Sequence, residues 1–151
     1  MALREIRRYP DAILQKKCKP VERVDEQTRQ LLRDMAETMY HTQRGSGLAA
    51  CQVGVLRRLV VIDVDGVLYQ LVNPVLIKSA GEQRVQEGCL SFPGVWGLVR
   101  RPERVQVEAF NEWGEPIVIR GRGALAQCLC HELEHLDGIV FTQHVERYLQ
   151  G

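Results

Sequence analysis

The stretch His131-Glu132-Leu133-Glu134-His135 holds two imidazoles four residues apart, with a carboxylate directly after the first. On a helix, residues four apart lie almost one above the other, so both imidazoles leave one face and can grip a single metal ion. Glu132 projects about 100° further round. There it is out of ligand position but within reach of a water on that ion, which is where a general base belongs. Two histidines hold a metal weakly, and a hydrolytic site normally has three protein ligands plus water. A third ligand must therefore come from elsewhere in the chain.

Five cysteines are available. Cys89 stands between Gly88 and Leu90 in the run Glu87-Gly88-Cys89-Leu90-Ser91; taken alone, a cysteine there reads as a small buried hydrophobe. Cys18, Cys51, Cys128 and Cys130 compete with it, although Cys130 would leave the helix on a different face and Cys128 lies close to its apolar stripe. His144 reads as a surface or capping residue, and His41 as a charge complementing a helix C-terminus. A second stretch, Gly45-Ser46-Gly47-Leu48-Ala49-Ala50-Cys51-Gln52, carries little side-chain bulk and lets another backbone come close. It reads equally as a tightly packed loop or as the wall of a substrate groove in which Gln52 supplies an amide donor.

The elements that must position these groups follow from periodicity. Leu125, Leu129, Leu133 and Leu136 form a stripe that makes the histidine segment a buried helix, with Gly138 as its stop. Asp25 caps a helix to about Tyr40, on which Leu31, Leu32, Met35 and Met39 recur at helical spacing. Pro10-Asp11 opens a short helical turn over Ala12, Ile13 and Leu14. Residues 58–64 read as a buried strand, Asp65-Gly66 as a hairpin turn, and 67–72 as the returning strand, which Asn73-Pro74 breaks before 75–77. Gly81 marks a turn before 85–91; further strands are expected at 97–101, 104–110 and 117–119, and only packing after Phe141. The fold class is α+β, with short antiparallel strands packed around a central helix that carries the histidines.

At 151 residues and 45% hydrophobic, the chain has material for one core, so residues 1–151 are read as a single domain. Twenty basic and 19 acidic residues, with no sustained basic run, give no reason to expect nucleic acid. No apolar run approaches the ~20 residues that span a bilayer, and the N-terminus lacks a signal-peptide core. An odd number of cysteines suits a reducing compartment. The expectation is a cytoplasmic monomer.

The stretches 45–52, 87–91 and 131–135, in this order and spacing, resemble the three motifs of the peptide deformylases, and the resemblance extends to the Tyr9-Pro10-Asp11 opening and the Ile62-Asp63 strand. It implies removal of the formyl group from the N-terminal formyl-methionine of nascent polypeptides, in bacteria or organelles of bacterial descent. Carried over by motif, Cys89, His131 and His135 would bind the metal, Glu132 would be the catalytic acid/base, and Gln52 with the Leu90 backbone N–H would stabilise the oxyanion. The resemblance favours ferrous iron (Fe2+), with zinc, nickel or cobalt admissible in a given preparation. Ser46, Val85, Ala124, Gln127, Cys128 and His131 would line or rim the methionine pocket, and the peptide would pair as an added strand with Gly45 to Gly47 and with Gly88.

The residues support this chemistry in their own right. Two imidazoles and a thiolate leave a tetrahedral ion one open position, where water is acidified towards pKa ~7. Because a formyl carbon carries only hydrogen, a tight wall near Gly47 and Leu90 would exclude acetyl groups. Three positions depart from the family pattern: Glu134 for aspartate, Cys130 for glutamine and Ser46 for an aliphatic residue. The chain also stops soon after the metal helix, which puts ribosome docking through a C-terminal tail in doubt. The competing readings are a metal amidase acting on other small acyl-amides, and a structural metal protein, which would need four protein ligands.

Overall fold

The computed structural model describes residues 2–149. Two helices and eight strands are present among them, and every strand pairing within the two sheets is antiparallel, so the α+β expectation holds. Helix α1 (Glu26–Thr42) begins where Asp25 accepts the Thr28 N–H at 2.9 Å and ends at Gln43, whose φ of 58° is left-handed. Helix α2 (Ala124–His135) carries the two histidines. The larger sheet runs β1 (Gly47–Ala49), β2 (Leu59–Asp63), β3 (Leu68–Ala80), β6 (Arg104–Phe110), β7 (Pro116–Arg122). The smaller sheet runs β4 (Gln83–Cys89), β5 (Phe92–Arg101), β8 (Arg147–Leu149).

Strand β2 explains the layering. Alternate side chains point to opposite faces of a sheet, so Val60 and Ile62 meet α2 through Leu129, Leu133 and Leu136, while Leu59 and Val61 meet α1 through Leu32, Met35 and Met39. A strand buried on both faces has to be continuously apolar, which is why Leu59-Val60-Val61-Ile62 shows no alternation. Helix α2 is thus held in the interior, and its histidine end lies between the larger sheet and the smaller one.

Three expectations change. The chain does not break at Asn73-Pro74: β3 runs through with a register shift between Val72 and Val75. Asn73 sits at φ 52°, and its side-chain amide accepts from the Val21 N–H and donates to the Val21 carbonyl, both at 2.8 Å. A bulge absorbs the extra residue, and the Asn73 side chain ties it to the Val21 backbone. Strand β5 begins at Phe92, not 97, because Cys89 and Phe92 are register partners across a tight turn at Leu90-Ser91. The tail contributes more than packing, since Arg147–Leu149 pairs with Trp96 to Leu98.

Candidate metal centre

The β4–β5 turn lifts Cys89 over the histidine face of α2. One donor atom each from Cys89, His131 and His135 lies within 4.8 Å of the others, and this is the one such three-residue group among the described residues. Cys89 Sγ is 3.3 Å from His135 Nε2. The choice among cysteines is decided by burial: Cys18, Cys51 and Cys130 belong to the core cluster under α2, and Cys128 packs against its edge. Two imidazoles and a thiol converging on one point, all able to shed a proton, fit a divalent ion of intermediate softness. Beside them the buried Glu132 Oε1 and His135 Nδ1 have no hydrogen-bond partner.

A chain of charges behind His131 sets its orientation. His131 Nδ1 donates to Glu87 Oε2 at 2.6 Å, which leaves Nε2 facing the site. Glu87 receives both Nε and Nη2 of Arg101, whose Nη1 reaches Glu134 Oε1 at 2.7 Å; Glu134 Oε2 in turn meets His144 Nε2 at 2.9 Å. Burial alone would raise the Glu87 pKa, but His131 and Arg101 outweigh it and hold the carboxyl down at about 2. Neither Glu87 nor Arg101 was assigned a role from the sequence. A signal existed: strand alternation from the buried Val99 points Arg101 inward, and a buried guanidinium requires carboxylates. Glu87→Gln is expected to weaken metal affinity by about 10–100-fold while the fold persists, as measured by competition with a chelator.

Glu132 is 4% exposed, and burial pushes its carboxyl up to about 7, with His131 opposing the rise. A carboxyl poised near neutrality can take a proton and return it. Its place is kept by Gly47: a Cβ there would lie 2.8 Å from Glu132 Cγ, Glu132 Oε2 and Cys128 Sγ. Gly47→Ala is therefore expected to cost about 1–3 kcal/mol of stability by overpacking and to lower kcat/KM by displacing Glu132, read by thermal melting and steady-state assay. Gln52, buried at 1%, is fixed at both ends of its amide. Its Oε1 accepts the Ala49 N–H at 2.9 Å, and its Nε2 donates to Ser91 Oγ at 3.0 Å and lies 3.5 Å from Cys89 Sγ. Ser91 is a third residue to which the sequence assigned no role.

A groove of about 650 Å³ opens onto His131, Glu132 and Cys89. Gly45, Ser46 and Gly47 form one wall and Gly88 and Leu90 the other; Ala124, Gln127 and Cys128 line it from α2. Gln52 and His135 lie outside the lining. The walls approach closely, since a Cβ on Gly45 would fall 2.6 Å from Leu90 Cδ1, and one on Gly88 2.8 Å from the Trp96 ring. Val85, expected in the pocket, is a correction: it is not among the groove-lining residues and packs on the cluster of Leu14, Phe92, Val99, Val140 and Phe141, of which Phe92 also lines the groove. The groove gains Trp96, Pro93 and Arg44, none of which was expected.

The polypeptide deformylase family model matches residues 3–150. The chain belongs to that family. It is 53% identical over 150 residues to peptide deformylase 2 of Clostridium acetobutylicum, a match covering 99% of this chain and all of that protein. It is similar to the crystal structure of a peptide deformylase from Legionella pneumophila (TM-score 0.92, 45% identity, 95% of this chain and 86% of that one). A third relative, the peptide deformylase from Synechococcus elongatus solved in complex with actinonin, superposes with a TM-score of 0.92 at 40% identity, over 95% of this chain and 79% of that one. Peptide deformylases are metal-dependent hydrolases whose known function is deformylation of nascent peptides. Among the described residues no helix is long and apolar enough to cross a membrane.

Proposed function

We propose that residues 1–151 form one catalytic domain that hydrolyses the formyl group from N-formyl-methionyl ends of nascent polypeptides, as a monomer in a bacterial cytoplasm. Cys89, His131 and His135 would hold the ion, and Fe2+ suits a site softened by one thiolate. When bound, such an ion supplies Lewis acidity and lowers the pKa of water to near ~7. Glu132 takes the proton of the attacking water and later passes it to the departing amine. The Gln52 amide and the Leu90 N–H donate to the oxygen on which charge develops; losing one such donor typically costs roughly 2.7–4 kcal/mol of transition-state stabilisation. Gly47 and Leu90 hold the wall against anything larger than hydrogen on the carbonyl carbon, and the peptide backbone adds as a strand along Gly45 to Gly47.

The observation that carries this reading is the convergence of three metal donors beside a buried Glu132, whose Oε1 has no hydrogen-bond partner, at the end of a groove. The test is anaerobic purification with metal analysis and peptide assay on one sample. About one divalent ion per chain is expected, with turnover of formyl-methionyl peptides and little or none of the acetyl analogues. Equal turnover of the two would replace deformylation by a general amidase activity.

A further inference from the structure

At the end of the larger sheet remote from α1, four cations from three strands are brought together. On β6, Val105 and Val107 point into the core, so Arg104 and Gln106 point out; on β7, Gly121 and Ile119 point in and Arg120 and Arg122 out. The register sets Arg104 opposite Arg122, and Gln106 between Lys78 and Arg120. Like charges directly opposite one another on neighbouring strands are destabilising. Eight other arginines of this chain sit in ion pairs, whereas Lys78, Arg104, Arg120 and Arg122 make none among the described residues. A groove of about 430 Å³ runs between them with no acidic residue in its lining.

We propose that this groove binds the sugar–phosphate backbone of a nucleic acid, recognised by charge and not by sequence. The cations stand in two rows about 6.6 Å apart along the strands, a run of positive charge too long for one phosphate. Arginine presents forked donors that match phosphate oxygens. An anionic bilayer fits less well: the next row outward, Val75, Glu108, Val118, puts a carboxylate between two apolar side chains, and a flat surface does not enter a groove. Balanced overall composition hid the patch, because Lys78, Arg104, Arg120 and Arg122 come from three strands and gather only through register. The inference stands apart from the deformylase reading, since its readout is binding.

The test is fluorescence anisotropy of the metal-loaded full chain with a labelled DNA duplex of about 20 base pairs. Four phosphate contacts predict a log–log salt slope of about −3.6, an affinity loss of about a hundredfold between 50 and 200 mM salt. The double variant Arg104→Gln/Arg122→Gln should halve that slope and bind about tenfold or more weakly at 50 mM. Its melting temperature should not fall, since a like-charge pair is removed, and its peptide turnover should be unchanged. Arg33→Gln, on α1, should bind as the parent does, and a duplex of different sequence should bind equally. No duplex binding, binding indifferent to the double substitution, or patch-dependent binding of phosphatidylglycerol vesicles or inorganic phosphate without duplex binding would each overturn the proposal.

Discussion

Glu132→Gln will keep the metal and lose about 10²–10⁴-fold in kcat/KM, equivalent to about 2.7–5.4 kcal/mol of transition-state stabilisation. The amide has the carboxylate's shape, so Gly47 and Cys128 still pack against it, but it cannot accept a proton. Stability should hold or rise slightly, because a buried carboxyl with an unpartnered oxygen is replaced by a group with no charge to desolvate. Metal content and turnover measured on the same preparation separate the two effects. Turnover within about tenfold of the parent would remove Glu132 as the proton carrier.

The second large effect is Cys89→Ala, which should abolish metal retention and activity together. His131 and His135 alone make a two-donor site, and Gln52 Nε2, which lies 3.5 Å from Cys89 Sγ, is a donor that cannot replace the thiolate. Thermal melting gives a readout independent of turnover. An ion at about a hundredfold above its Kd stabilises the folded chain by about 2.7 kcal/mol, a rise of about 5–10 °C for a domain this size. The parent should lose that increment when chelator is added, whereas Cys89→Ala should melt near the chelated parent with or without metal. A variant that still gains the increment would show that another residue completes the site.

Much of the site was legible because its parts lie close in sequence or carry the family's motifs. His131, Glu132 and His135 sit within one helical turn or so, where the 3.6-residue period alone puts both imidazoles on one face. Cys89 was named through family resemblance, since nothing in residues 87–91 alone distinguishes a ligand from a buried thiol. Its selection over Cys18, Cys51, Cys128 and Cys130 by position required the β4–β5 turn. Glu87 and Arg101 were missed for a related reason. They are 14 residues apart on paired strands, and their partnership with His131 and Glu134 exists only where the smaller sheet crosses α2.

By itself the amino-acid sequence determined the α+β class, the histidine helix and its apolar stripe, the Asp25 cap and the buried strand over residues 58–64, because each is a local pattern or a local hydrogen bond. Tertiary structure alone decided that β3 crosses Asn73-Pro74, that Val85 packs on the Phe92 cluster and does not line the groove, and that four cations without ion pairs among the described residues share one sheet end. These outcomes depend on register between strands and on which face meets which neighbour. Such non-local choices are settled by the free energy of the whole packing, to which no short stretch of chain has access.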